Sequence, residues 1–198
     1  MPLPPCADGC QFTRDRARLA DADAVVFHVP SIDDWQHLRK RPGQLWVAAS
    51  MESDVIYPQL RDAGFMARFD LTHMYQLGSD VPTLYFGPAE LQALGRAPRP
   101  KTARAPIAAF VDNPRDAAGR FRYLSELMRH IAVDSFGSVL RNRTLARDVG
   151  RETKLDTIAR YKFTLAIENS RTADYVTEKL FDPLIAGSVP LYLGAPNV

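Results

Sequence analysis

Apolar residues fall in short unbroken runs along this chain, with amphipathic stretches between them. The clearest case spans Tyr161 to Val198. KFTLAI, residues 162–167, is an apolar run of the kind that marks a strand buried on both faces. ENSRTADY is polar and predicts a loop. Thr177 then predicts the N-cap of a helix from Glu178 to about Ala186, ended by Gly187. SVPLYLG is a second apolar run. Strand, loop, helix and strand in that order predict a parallel βαβ unit with a right-handed crossover.

The same alternation occurs upstream. ADAVVFHVP, residues 22–30, predicts a strand, and His28 on it reads as a core histidine. SIDDWQHLRKRPGQ predicts a short helix and turn with Trp35 and Leu38 on one face, and QLWVAAS, residues 44–50, the next strand. PAELQALG predicts a short helix. The basic, proline-rich APRPKTARAP that follows predicts a semi-extended, exposed linker. Beyond it IAAFVDN predicts a new strand. Phe121, Leu124, Leu127 and Met128 recur at helical spacing, a core stripe. IAVDSFG predicts a strand ending at Gly137, and RETKLDTIARY a helix with Leu155, Ile158 and Ala159 on one face. The chain thus divides into residues 1–98, a linker 99–106 and residues 107–198, an α/β class with two domains.

Composition narrows the class. The 198 residues are 46% hydrophobic and 24% charged with a net charge of +2, which describes a soluble globular protein and gives no footprint for nucleic acid. No apolar run approaches the roughly 20 residues of a membrane span. MPLPPCADGC lacks the basic start and apolar core of a signal peptide. Cys6 and Cys10 read as free thiols or a local disulfide, because no histidine or cysteine cluster completes a metal site. Asp21-Ala-Asp23 has the form of a metal-holding pair of aspartates but reads as a polar loop before a strand.

Candidate chemistry lies at strand ends. In open parallel sheets ligands bind beyond the carboxyl ends of the strands. Glu168, Asn169, Tyr175, Glu178 and Lys179 are grouped at such an end. A helix N-terminus favours anions, and Lys179 in a first turn opposes the dipole, so a bound anion would help explain it. Glu52 follows another buried strand directly and is placed to meet a substrate. Gly137 permits close backbone approach. Arg141 is by position an exposed cation.

The ordered series YKF-x-LA-x-ENS, DYVTEKL-F and AGSVP-x-x-LGAPN resembles the donor-binding signature of the α1,3-fucosyltransferases, glycosyltransferase family 10. The AGSVP and GAPN endings are most similar to the plant and invertebrate core type. W-x-x-x-SMES followed by YP, and SDVP-x-x-YF, resemble the family's acceptor-side segments, although LTHMY stands where members usually have a form like MTY. The resemblance implies two Rossmann-like domains in the glycosyltransferase B arrangement, with the second domain incomplete because members continue well beyond GAPN. It implies transfer of L-fucose, with inversion, from GDP-β-L-fucose to a hydroxyl of an N-acetylglucosamine-containing glycan in α1,3 linkage. Glu52 is then the general base, and Arg141, Asn169, Tyr175, Glu178 and Lys179 bind GDP-fucose, with no metal and no other cofactor required.

Arg143 is an alternative to Arg141, because the G-x-x-RN segment carries one extra residue here. Asn142-Arg143-Thr144 is also a glycosylation sequon. Pro183 inside the signature helix is expected to kink it. The missing C-terminal portion leaves a second reading, a non-catalytic nucleotide-sugar or glycan-binding remnant. A bacterial origin implies the cytoplasm, and a fragment of a membrane-anchored eukaryotic enzyme the Golgi lumen.

Overall fold

The computed structural model describes residues 9–198, so Cys6, and with it the pairing of Cys6 and Cys10, lies outside the described residues. Two four-stranded sheets, both wholly parallel, organise the chain. The first contains β1 (Ala24–His28), β2 (Leu45–Ser50), β3 (Leu71–Met74) and β4 (Val81–Pro82), in the order β1-β2-β3-β4. The second contains β5 (Ile107–Ala109), β6 (Val133–Ser135), β7 (Phe163–Ile167) and β8 (Val189–Leu193), in the order β6-β5-β7-β8. The short α1 (Ala63–Met66) belongs to the first sheet's connections, and α2 (Pro88–Leu94) follows that sheet. The second sheet carries α3 (Arg120–His130), α4 (Arg151–Ile158) and α5 (Glu178–Ala186). This is the α/β class that the alternation of apolar runs implies, with Rossmann-like parallel sheets.

In the first sheet Val25 pairs with Trp46 and Phe27 with Ala48, so these side chains share a face. Phe27, Trp35 and Trp46 are buried there, with Phe65 and Phe69 packed against them. Ring centroids lie 4.9 Å apart for Phe27–Trp46 and 5.4 Å for Trp35–Phe69, and Arg68 sits 4.0 Å above the Trp35 ring. Each such ring pair adds roughly 0.5–1.5 kcal/mol beyond its area. Two expectations fail here. No helix forms around Trp35: a 3-10 turn covers Val29–Ser31, and Asp34 adopts a φ of 45°, which ends right-handed winding. Trp35 is anchored instead by burial. His28 is exposed, with Nδ1 2.7 Å from the Ser31 hydroxyl, because the strand's buried face is that of Val25 and Phe27.

The second sheet is covered on both faces, which is why its strands read as unbroken apolar runs. Ile107, Ala109, Val111, Leu165 and Ile167 form one core with Leu124 of α3, and Phe121, Leu127 and Met128 pack on it as the stripe predicts. Ala105, Ala108, Ile158 and Tyr161 form the other, under α4 and α5. Strand order reverses between β5 and β7, so the loops after those two strands diverge at a switch point.

The basic linker does not stand free. Ala105 is 6% exposed, the Ala103 amide donates to the Arg160 carbonyl at 3.1 Å, and Lys101 donates to the Ala159 carbonyl at 2.9 Å. Ahead of it, α2 lies against α5. Arg151 donates at 2.8 Å to both Glu90 of α2 and Asp182 of α5, and Lys154 donates to Asp182 at 2.8 Å. Asp182 is fully buried. A buried carboxylate needs such pairing, and two cations supply it. Phe86 also packs on Phe181 with centroids 4.7 Å apart. Helix α5 continues through Pro183 to Gly187, where the Ser188 amide returns to the Pro183 carbonyl at 2.8 Å.

Candidate active site

The two sheets present strand ends to each other, and the site is built from the loops leaving β2, β5 and β7. After β2 the chain turns at once. The Glu52 amide donates to the Ser50 hydroxyl at 3.1 Å, and that hydroxyl lies 3.1 Å from the Glu52 carbonyl. The amides of Ile56 and Tyr57 then donate to the Ser53 carbonyl at 3.0 and 2.9 Å. Glu52 is half-buried. Among the described residues its carboxylate has one hydrogen-bond partner, the Tyr175 hydroxyl at 3.5 Å.

Tyr175 comes from the loop after β7, separated from Glu52 by 123 positions. It is 2% exposed and enclosed by rings of the first unit, with centroids 5.0 Å from Tyr75 and 6.3 Å from Tyr85. Burial, then the neighbouring Tyr85 and the charges of Glu52 and Glu168, push its hydroxyl far above the usual tyrosine range. Tyr85 is raised likewise, by burial and then by Glu52 and Glu178, and its hydroxyl bonds the Met51 carbonyl beside Glu52. Burial raises Tyr75 to about 12. Of the three hydroxyls only that of Tyr175 reaches the Glu52 carboxylate; Tyr85 donates to the Met51 carbonyl and Tyr75 to Asp54 at 3.3 Å. Tyr75 and Tyr85 were not singled out from sequence. They follow strands of only four and two residues, too short to give a periodic signal.

On the other side, Glu168 caps the loop from within. It is fully buried, and its carboxylate accepts from the Thr177 amide at 2.8 Å and the Thr177 hydroxyl at 2.8 Å, and pairs in charge with Lys179 at 3.2 Å. Thr177 is the N-cap of α5, as its position predicts, and its hydroxyl also accepts from Lys179 Nζ at 2.9 Å. Lys179 further donates to Glu178 at 3.2 Å, so three oxygens lie within 3.2 Å of its ammonium. Burial tends to raise the Glu178 carboxyl, but Lys179 and Lys154 outweigh it and hold the group below its ordinary value. Gly194 makes room for this arrangement, since a Cβ there would stand 2.6 Å from Glu168 Cγ.

Asn169 is 3% exposed, and its carbonyl accepts from the Ala118 amide at 3.1 Å, tying the β7 loop to the β5 loop. In that loop Arg120, 1% exposed, donates to the carbonyls of Asn113 at 2.6 Å and Arg115 at 3.0 Å. Arg115 in turn lies 4.8 Å over the Tyr57 ring of the first unit.

Arg141 stands apart. It is exposed beyond β6, two strand positions from β7, or roughly 10 Å across the sheet. Its Nε donates to the Gly137 carbonyl at 3.0 Å, and its terminal nitrogens have no partner among the described residues. Arg143 instead pairs with Asp134 at 2.7 Å. Gly137 serves the chain itself, because a Cβ there would collide with the Val111 backbone. Asn142 is occupied too: its amide nitrogen, the atom a glycan would take, donates to the Val133 carbonyl at 2.9 Å. Asp21 and Asp23 are exposed and lie near Arg18 and Arg41 at 3.6 Å each. The structure thus joins Glu52 to Tyr175, and Tyr175 to the Glu168–Thr177–Lys179 cluster with Glu178, while Asn169 is buried behind them and Arg141 lies at the sheet's far edge.

Residues 100–198 match the family described as glycosyltransferase family 10 (fucosyltransferase) C-term, and residues 2–86 match the fucosyltransferase N-terminal family. The chain is 42% identical over 163 residues to a fucosyltransferase-like protein of Arabidopsis thaliana, covering 81% of this chain and 31% of that one. It is 31% identical over 212 residues to alpha-(1,3)-fucosyltransferase B of Drosophila melanogaster, covering 96% and 47%. It is 32% identical over 209 residues to GDP-fucose protein O-fucosyltransferase 3 of Xenopus laevis, covering 96% and 45%. A crystal structure of an alpha1,3-fucosyltransferase with GDP superposes with a TM-score of 0.48 at 19% identity, over 88% of this chain and 56% of that one. The chain spans less than half the length of these curated relatives. On its two matching segments, the chain belongs to glycosyltransferase family 10, the fucosyltransferases.

Proposed function

We propose that this chain carries the base and donor half-sites of an inverting α1,3-fucosyltransferase, which moves L-fucose from GDP-β-L-fucose to a hydroxyl of an N-acetylglucosamine-containing glycan. The observation that carries this reading is the Tyr175–Glu52 contact at 3.5 Å, where the donor loop of one unit meets the carboxylate of the other. In the reaction the acceptor oxygen bonds to the anomeric carbon as the bond from that carbon to the diphosphate breaks. Glu52 takes the acceptor proton, and GDP leaves with the electron pair. Charge on the leaving diphosphate is met by Lys179 and the positive end of α5; Arg141, whose terminal nitrogens have no partner among the described residues, meets it from the far edge of the sheet, across roughly 10 Å. Lys179 has three oxygens within 3.2 Å, and it exchanges its Glu178 contact for phosphate. Glu178 is the partly exposed partner of the lysine, at 39%, whereas Glu168 is at 0%. Glu178 is then free to accept from a hydroxyl of ribose or fucose. Asn169 and Tyr175 shape the wall of the donor site.

A second reading concerns the acceptor alone. The frog relative is named a protein O-fucosyltransferase, which favours a protein hydroxyl in place of a sugar hydroxyl. Incubation of the chain with labelled GDP-fucose, a panel of N-acetylglucosamine glycans and Ser/Thr peptides separates the two. Label in α1,3 linkage on a glycan supports the first reading and label on a peptide the second. Donor that is bound but never transferred overturns both and leaves a nucleotide-sugar-binding remnant.

A further inference from the structure

Asp174 and Asn197 form a reciprocal pair that neither the base nor the donor contacts account for. Asp174 lies one residue before Tyr175, in the loop after β7, and holds a left-handed φ of 63°. Aspartate and asparagine tolerate that conformation better than most residues. Its amide donates to Asn197 Oδ1 at 2.9 Å, while Asn197 Nδ2 donates back to Asp174 Oδ1 at 2.7 Å. The remaining oxygen of Asp174, Oδ2, accepts from the Leu77 amide at 3.1 Å. Leu77 belongs to the first unit and follows Tyr75, whose ring packs on Tyr175. Three hydrogen bonds therefore join the segment after β8, the donor loop and the first unit at one side chain. The same residue fixes the turn that sends Tyr175 inward, since the Val176 amide donates to the Asp174 carbonyl at 2.8 Å.

We propose that Asp174 and Asn197 are positioning residues: a clasp that sets the donor loop, and Tyr175 with it, against the first unit, so that the loop is formed before the donor arrives. Its functional part rests on the donor reading above. Pre-forming a loop raises affinity by removing the ordering cost from binding. The pairing is directional, and that makes it testable. Asp174→Asn sets an amide N–H against the Asn197 N–H donors. Asn197→Asp sets a carboxylate against a carboxylate. The double swap, Asp174→Asn with Asn197→Asp, restores all three bonds: Asn at 174 donates to Asp at 197, its carbonyl oxygen accepts from Leu77, and Asp at 197 accepts from the 174 amide.

Two readouts decide the matter on the wild type, both single variants and the swap. One is GDP affinity by calorimetry. The other is the rate of tryptic cleavage after Arg171, an exposed residue of the same loop. Each single variant is expected to weaken GDP binding about tenfold, the value of roughly one well-made hydrogen bond to a charged group, and to speed the cleavage about fivefold or more through local opening. The swap is expected to return both to within about threefold of wild type. Single variants equal to wild type in both readouts, or a swap that restores neither, overturns the clasp. Faster cleavage with unchanged GDP affinity overturns its role in donor binding. A wild-type chain that binds no GDP defeats the donor reading, and the cleavage rates alone then judge the clasp.

Discussion

Glu52 and Glu168 each follow the carboxyl end of a parallel strand, one in each sheet, and their surroundings differ at every point. Glu52 is half-buried, and its carboxylate has one long hydrogen bond, 3.5 Å from Tyr175. Glu168 is fully buried, with the Thr177 amide and hydroxyl at 2.8 Å and Lys179 at 3.2 Å. A carboxylate with unused acceptor capacity at a cleft can take a proton. One whose lone pairs are already filled can only hold its neighbours in place. This contrast supports the proposal that Glu52 reacts, and gives Glu168 a structural part.

The contrast is sharpest under Glu168→Ala. Removing the buried counter-charge leaves Lys179 with Glu178 alone and takes away the acceptor of the Thr177 amide and hydroxyl at the cap of α5, which is expected to cost about 3–5 kcal/mol. For a chain of this size that lowers the thermal midpoint by roughly 6–20 °C in calorimetry. A midpoint within about 2 °C of wild type would erase the distinction.

Asp182→Asn tests whether the same logic extends down α5. It breaks the pairs to Arg151 and Lys154 at 2.8 Å each. The expected loss is smaller, about 2 kcal/mol, because Arg151 is 46% exposed and recovers solvation. Chemical denaturation reads it, and it should also loosen α2 through the Glu90 pair.

Thr177→Ala removes the hydroxyl shared by Glu168 and Lys179, with an expected loss of about 1–2 kcal/mol by the same measurement. A loss above that of Asp182→Asn would show the cap, rather than the charge pairs, to be the stronger fastening.

The smallest effect is a response to alkali common to both units. Burial raises Tyr75 in the first unit and Tyr161 in the second to about 12 from the ordinary 10.0. A raised folded-state pKa gives stability that is whole below pH 10 and is lost as pH climbs through 12. The thermal midpoint should therefore hold to pH 10 and fall between 10 and 12, in step with tyrosinate absorbance. A thermal midpoint that stays level through pH 12 would place these hydroxyls nearer solvent.

The second unit was far more legible in the sequence than the first, for physical reasons. Strands β7 and β8 are each five residues long and α5 has a threonine cap and a glycine stop, so all three match the local rules that predict them. The Trp35 segment misled because its apolar spacing suits a helix while Asp34 takes a positive φ, a choice made by packing against Phe27 and Trp46 and not by propensity. Strands β3 and β4 give too few residues for a period. The linker's proline and arginine content suggested exposure, which residues 97–100, 102 and 104 show, while Ala105 is buried under α4. Within the site, Glu52 and the 175–179 cluster were visible as polar residues after buried strands. The enclosure of Tyr175 by Tyr75 and Tyr85 was not, because it depends on how the two sheets face each other.

The central claim is that Glu52 is the base while the second unit alone holds the donor. The most direct test measures GDP-fucose binding and fucosyl transfer by the wild-type chain and Glu52→Gln side by side. Unchanged donor affinity with transfer lowered by about 10²–10⁴-fold is the predicted result. Transfer by Glu52→Gln at the wild-type rate, or donor affinity falling in step with transfer, would contradict it.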